Sequence, residues 1–449
     1  MRRCPISVLF LISLFSVVST AQEPVPATSQ ILTLDEAIRL AQENNRSIKN
    51  AMLAVSIAAD QVAEARTYRL PSVSVYALGS ELLAPVDFTF QRGIFGTFQG
   101  IGPVPAENTS IHTPLRPTFF GLTQAQQPLS RQFKIGLNLQ LAKLNRALND
   151  EEVRAQKQAV ANQVKQAYYG LVRTESALEV NNESLKLDHE LDRVVQQQVE
   201  QATALKVDAM DIQAKLAQEE YNQQTLQDAL STQKEGLNQL LGRDVRMDFA
   251  VGTIPEASSM EVDLEAARAK ALASRPELRK ARLAVQQAQL SRRITKAGYI
   301  PDVSLTVSDL SLANVSPVLP SNVASAGVLI TWDPIDWGRR KHQLAERTKS
   351  IEQSENSVNE AEAQVLVEVG DKFRKLRQTR SQLHETDLAL ASARERLRVT
   401  MNEFEQMVAL MKDVLQQKAA VQSATDQYHQ ALLAFWAAKA DFERALGED

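Results

Sequence analysis

Two stretches of this 449-residue chain are almost free of the residues that end helices. Proline is missing from 129–254 and again from 335–449. The only glycine within 137–235 is Gly170, and the only one within 339–446 is Gly370. Proline and glycine are the strongest helix breakers, so about a hundred residues in each half can run as very long helices. Their apolar residues recur every seven positions. Val164, Leu171, Leu178, Leu185 and Val199 lie on one series, interrupted by Asp192; Val369, Leu376, Leu383, Leu390, Leu397 and Phe404 form its unbroken counterpart. Downstream, Ala209, Leu216, Leu230 and Leu237, interrupted by Gln223, answer to Val414, Val421, Tyr428, Phe435 and Phe442. A sustained heptad predicts coiled-coil packing. A helix over 134–200 would be ~100 Å long at ~1.5 Å per residue. A lone pair of that length buries one seam only and needs neighbours. The composition, 44% hydrophobic but only 5% aromatic, is that of long packed helices.

The chain is also written twice. At a shift of 230, positions 34–75 fall on 264–305 without a gap, and eleven of these 42 positions are identical, among them Ala37/Ala267, Leu53/Leu283 and Pro71/Pro301. A second register of 206 pairs Gly121 with Gly327 and Pro128 with Pro334; it slips to 205 towards the end, pairing Gly242 with Gly447. Self-similarity of this kind predicts two copies of one structural unit. The difference of 24 between the first two registers lies between Ser74 and Gly121, so the first copy carries the longer loop. Each copy opens with an Ala-rich helical stretch. Thr33 and Asp263 are placed to cap these helices, and Asp35, Glu36 and Glu265 put acidic charge in their first turns. Pro276, and Asn44-Asn45 at the matching place, predict a short helix, a break and a longer helix.

After each helical stretch comes a proline and then alternation. Val73, Val75 and Ala77 interleave with Ser72, Ser74 and Tyr76; Val303, Leu305 and Val307 interleave with Ser304, Thr306 and Ser308. Period two is the mark of a strand with one apolar and one polar face. Val328, Ile330 and Trp332 continue it ahead of Pro334. The matching stretch at Phe120 and Leu122 decays into Gln124 and Gln126. Residues 79–121 hold a Gly/Pro cluster with Phe88, Phe90, Phe95, Phe98, Phe119 and Phe120. They read either as an irregular surface loop or as an exposed barrel loop with interfacial aromatics. The resulting division is 1–21, 22–242 with strands around 71–80 and 117–127, a connector at 243–262, and 263–449 with strands around 301–309 and 324–333.

Residues 1–21 read as a secretory signal: Arg2 and Arg3, the apolar run Ile6–Val18, then small residues up to Ala21. The one cysteine, Cys4, would leave with it, so no disulfide is expected. No later stretch reaches the ~18 apolar residues of a membrane helix, so entry into a membrane would have to be by strands. Four strands cannot close a barrel alone, since membrane barrels begin at ~8, so closure requires oligomerisation. A net charge of −4 offers nothing to nucleic acid. The five histidines show no ligand spacing. With no phosphate loop or nucleophile elbow either, neither enzymatic activity nor a cofactor is expected.

In order and in duplicate, these pieces resemble the TolC-like family of outer-membrane efflux and secretion proteins. The likeness is carried by Leu34-Asp35-Glu36-Ala37-Ile38, the corners Leu70-Pro71-Ser72-Val73 and Ile300-Pro301-Asp302-Val303, the run from Trp332 to Arg340, and Leu240-Leu241-Gly242-Arg243. The resemblance implies a mainly α chain with membrane β structure. As a homotrimer it would give four strands per chain to a twelve-stranded barrel among outer-membrane lipid, above a tapered periplasmic α-barrel. It implies a passive export duct of a tripartite efflux pump, docked to a periplasmic adaptor (membrane fusion) protein and an inner-membrane transporter. The outer-membrane component of a type I secretion system is the alternative within the fold. A soluble periplasmic coiled-coil scaffold is the alternative from another class. The family's periplasmic hairpin tips match Ala202 to Asp208 and Met407 to Asp413, with Ala202 and Met407 standing where the family has glycine. Ala202, Leu205, Met407 and Leu410 are thus expected to face the adaptor. Asp208, Asp211 and Asp413 are expected either to ring the pore constriction or to be solvated helix caps.

Overall fold

The computed structural model describes residues 31–448 except 82, 113, 114, 116, 202–204, 253–262, 315–319, 407 and 410. The signal segment and Ala202, Met407 and Leu410 lie outside the described residues, as does part of the 243–262 connector.

Each repeat begins as a broken helix. The first has α1 (Leu34–Asn44) and α2 (Arg46–Thr67); the second has α5 (Leu264–Ser274) and α6 (Pro276–Ala297). Thr33 caps α1 by accepting from the Glu36 amide, and Asp263 caps α5 by accepting from the Glu265 and Ala266 amides. At the first break Asn45 is buried. Its Oδ1 accepts from the amides of Ser47 and Ile48, while its Nδ2 donates to the Leu240 carbonyl at 2.8 Å. At the second break Pro276 opens α6, and its lack of an N–H costs nothing in the first turn.

The strands follow in the same order in both repeats. They are β2 (Ser72–Glu81) and β7 (Pro117–Pro128) in the first, and β9 (Asp302–Ala313) and β10 (Asn322–Thr331) in the second. They form one antiparallel sheet in the order β10-β9-β7-β2. β7 runs straight through Gln124 and Gln126, where the alternation had decayed. The Gly/Pro-rich segment between β2 and β7 is not irregular. It carries the hairpin ladder β3 (Asp87–Phe90) with β6 (Thr109–His112), and inside it β4 (Thr97–Phe98) with β5 (Gly102–Pro103).

From the sheet the chain descends as two helical hairpins, α3 (Arg131–Glu200) with α4 (Lys206–Leu241) and α7 (Arg339–Glu405) with α8 (Met411–Ala445). α3 has 70 residues, ~105 Å at ~1.5 Å per residue. The heptad series are the buried seams: Val164, Leu171 and Leu185 in α3, Val369, Leu376, Leu383 and Leu390 in α7, Leu237 in α4, and Phe435 and Phe442 in α8. α3 packs against α2, α4, α6 and α8, so it is the spine that joins the two repeats.

The largest core lies where the hairpins end and meet α1 and α5. It gathers Ile48, Leu278, Val164, Val369, Leu237, Leu241 and Phe442. The parallel pair β1 (Ile31–Leu32) and β8 (Ala250–Val251) lies beside it. The Tyr168 hydroxyl donates to the Leu32 carbonyl at 2.9 Å and accepts from the Gly252 amide at 3.0 Å, pinning both strands to α3. Two glycines show the duplication in three dimensions. Gly242, just after α4, has φ +71° and lies against the Asn44 carbonyl; Gly447, just after α8, has φ +78° and lies against Ser274 and Arg275. Each touches the break of the short-plus-long helix of its own repeat.

Candidate tunnel entrance and barrel wall

The two hairpin turns fall in the same register. α3 ends at Glu200 and α4 begins at Lys206; α7 ends at Glu405 and α8 begins at Met411, each 205 residues later. A buried ion pair ties the hairpins together above the turns. Lys418 Nζ of α8 lies 2.7 Å from Asp188 Oδ1 of α3, with side chains 14% and 4% exposed. Asp188 is twelve residues from the end of α3 and Lys418 seven from the start of α8. At ~1.5 Å per residue the two turns begin ~18 and ~10 Å below it, at the same end of the molecule.

The aspartates lie near the starts of two different helices. Asp208 lies in the first turn of α4, and its side chain is outside the described atoms. Asp211 is exposed one turn later, and Asp413 is half-buried in the first turn of α8. Among the described residues no group of three or more His, Cys, Asp or Glu side chains is arranged to hold a metal ion. A carboxylate ring would have to be assembled from several copies of the chain. Leu205 is exposed just before α4, as are Val207 and Met210 within it, and Val408 is exposed in the second turn. The second turn is closed by the Val408 and Ala409 amides, both donating to the Glu403 carbonyl.

The polar residues that organise the helical part were not visible as a motif. Glu219 of α4 is buried in its hairpin. It accepts from Asn181 Nδ2 at 2.6 Å and pairs with Lys215 at 2.6 Å. Burial pushes its carboxyl up, but Lys215, Asn222 and Asn181 outweigh that and hold it below the ordinary carboxylate range. Higher up, Asp441 of α8 receives Lys372 of α7 at 2.9 Å and Asn162 and Gln166 of α3 at 3.1 and 2.9 Å. The only sign in the sequence was negative, in polar residues breaking an apolar series: Asp192 and Gln223 do so, and Gln223 donates to Asn182 across the hairpin at 2.6 Å.

The sheet has two chemically distinct faces where it leaves the helices. On one face lie Val73, Ala125, Val307 and Ala326 in one cross-strand row, with Leu305, Val328, Val303 and Ile330 below. On the other lie Ser72, Gln126, Thr306 and Gly327, then Ser74, Gln124, Ser308 and Ser325. Within the protomer β2 and β10 each have only one neighbour in the sheet. No helix among the described residues is long and apolar enough to cross a membrane.

Residues 267–448 match the family model of outer membrane efflux proteins. That span is nearly the whole second repeat, and the first repeat has the same elements in the same order. The fold is that of solved outer membrane channels. The chain superposes on the outer membrane protein VceC of Vibrio cholerae with a TM-score of 0.70 at 16% identity, covering 92% of this chain and 96% of that one. For the CmeC outer membrane channel of Campylobacter jejuni the TM-score is 0.74 at 13% identity, covering 92% and 85%. For the open state of the MtrE outer membrane channel of Neisseria gonorrhoeae it is 0.72 at 18%, covering 92% and 89%. No curated protein gives a significant match by sequence.

Proposed function

We propose that this chain is the outer-membrane channel of a tripartite efflux pump, a passive duct spanning the periplasm and docked to an adaptor and an inner-membrane transporter. The observation that carries the reading is a four-stranded sheet with one apolar face, one polar face and two open edges. Open edges are not tolerated in lipid, so the sheet must close with copies of itself. β10 and β2 run in opposite directions, so the antiparallel alternation continues when β10 of one copy meets β2 of the next, all copies sharing one orientation. Such a head-to-tail contact closes into a ring. Three copies bring twelve strands, in keeping with the family the chain resembles. The apolar face then meets lipid and the Ser/Thr/Gln face lines water.

The test is the native mass of protein extracted by detergent from purified outer membranes, where a trimer is expected. A monomer or dimer released without detergent refutes the channel and leaves a periplasmic scaffold. Val303→Asp, on the lipid face, is expected to block membrane assembly and would be neutral in a scaffold.

At the other end we assign Asp208, Asp211 and Asp413, repeated around the axis, to the constriction, where rings of carboxylates favour cations. Ala202, Leu205, Met407 and Leu410 are assigned to the adaptor contact, supported by the exposed apolar side chains of Leu205, Val207, Met210 and Val408. Asp208→Ala with Asp413→Ala is expected to change single-channel conductance and its block by divalent cations. Unchanged values would remove these residues from the constriction.

A further inference from the structure

The Ser/Thr/Gln face of the sheet turns apolar on the way out. Beyond the Ser74-Gln124-Ser308-Ser325 row, the same face carries Tyr76, Leu122, Leu310 and Val323, and beyond that Leu78, Phe120 and Leu312. At the same level the opposite face is mixed: Val75, Thr123, Asp309 and Ala324 in one row, with the Asp309 carboxylate accepting from Ser311 at 3.2 Å, then Ala77, Gly121, Ser311 and Asn322, then Gly79, Phe119 and Ala313. In a barrel closed with the Ser/Thr/Gln rows inside, the outer part of the lumenal wall is therefore apolar.

In a water-soluble barrel of ~8 strands the wall's own side chains fill such an interior, but larger barrels leave a cavity or channel. The insertion between β2 and β7 does not fill it here. It folds on itself, with Phe90 against Phe95 at 5.4 Å and the Gly93 and Phe95 amides donating to the carbonyls of Pro105 and Val104. Leu78 and Val323 stay exposed, at 61% and 43%. From Ser72 and Ser304 outward, this face has no charged side chain. A neutral wall that passes from hydrogen-bonding rows to apolar rows fits a solute with both characters and no charge to pair.

We propose that the Tyr76 and Leu78 rows form an apolar collar inside the outer mouth of the duct, which holds the apolar part of exported neutral amphiphiles. The inference rests on the channel reading and adds a substrate class to it. Burial of one such part against two leucines favours the collar over the polar rows by about tenfold.

The test uses the trimer in lipid nanodiscs and a neutral, apolar trifluoromethyl phenyl diazirine as photolabel, with adducts located by mass spectrometry. The expected pattern in β9 is label on Leu305 and Val307 from the lipid side and on Leu310 and Leu312 from the lumen. Excess diazirine-free analogue should suppress only the lumenal set. In the double variant Leu122→Ser, Leu310→Ser the label on Leu312 and Phe120 should fall about tenfold while that on Leu305 is unchanged. Label on Leu305 and Val307 without any on Leu310 and Leu312 overturns the collar and leaves the barrel standing. Lumenal label that emerges only after 84–112 is replaced by a short Gly/Ser linker also overturns it, since the insertion would then be the occupant. Absence of both sets together with a non-trimeric mass overturns the channel reading itself.

Discussion

Gly242→Ala offers a sharp check on how the helical hairpins join the core, because its repeat partner supplies an internal control. A Cβ on Gly242 would lie 2.3 Å from the Asn44 carbonyl oxygen and 2.7 Å from its carbon, both backbone atoms. The φ of +71° adds the left-handed cost of ~1–2 kcal/mol for a residue with a side chain. Relieving a main-chain overlap in a packed core adds about 1–3 kcal/mol, so the whole is ~2–5 kcal/mol. At Gly447 the φ is similar, but the nearest atoms are 3.1 Å away. There the dihedral cost dominates and the whole is ~1–3 kcal/mol. With ~2.1 cal/mol/K per residue, a chain of this length loses ~1 °C for each kcal/mol. Gly242→Ala should therefore lower Tm by ~2–5 °C, and Gly447→Ala by less. The assay is loss of helical circular dichroism in detergent at matched scan rates, since membrane proteins of this size melt irreversibly. Equal shifts, or a larger one at Gly447, would refute the claim that the Asn44 carbonyl sets the cost.

Lys418→Met leaves Asp188 buried without its cation and is expected to cost ~3–5 kcal/mol. Adding Asp188→Leu should recover most of that loss, measured as a double-mutant cycle in Tm. Tyr168→Phe removes the hydroxyl between Leu32 and Gly252 and should cost ~1–3 kcal/mol, since the first backbone group is buried and the second part-buried; faster amide exchange at Gly252 is the local readout. Burial lowers the His429 imidazole below its ordinary value of 6.5, against the pull of Asp426 and with the help of Arg394. The unfolded chain therefore binds the proton first as pH falls through 6.5, so stability drops there and is flat above. His429→Gln should abolish that part of the acid dependence, read as Tm between pH 5 and 7.5.

What could be read from the sequence was whatever repeats at a local period. The heptads of α3 and α7 became seams because their residues share a helix face, whatever the partner is. Thr33, Asp263 and the Asn45 break are decided within a few residues, and the structure keeps them. β7 was harder for a physical reason: its alternating face changes from Phe120 and Leu122 to Gln124 and Gln126 halfway along. Period two survives in the backbone while the polarity it is read from is exchanged. β3 and β6 pair across an 18-residue excursion with no short turn to announce it. The Asp188–Lys418 pair joins residues 230 positions apart, and neither side chain differs in any local way from a solvated one. Of the hairpin tips, position was legible and composition was not informative. Alignment to the second repeat located them, but a ring around an axis is a property of several chains.

The bare edges of β2 and β10 also decide how such a chain can travel. A sheet whose two rims are complementary to each other has no finished state as a single molecule. Each encounter between copies either adds one third of a turn towards a ring or, if the copies meet in solution before curvature is imposed, extends an open ribbon. The step that commits a molecule is therefore of higher than first order in concentration, whereas the helical hairpins, held by contacts within one chain, form at any dilution. Yield should fall steeply when expression is either too low, leaving lone sheets exposed to proteolysis, or too high, favouring ribbons over rings. A carrier that covers ten residues of unpaired backbone on each rim until the lipid is reached would widen that window from both sides.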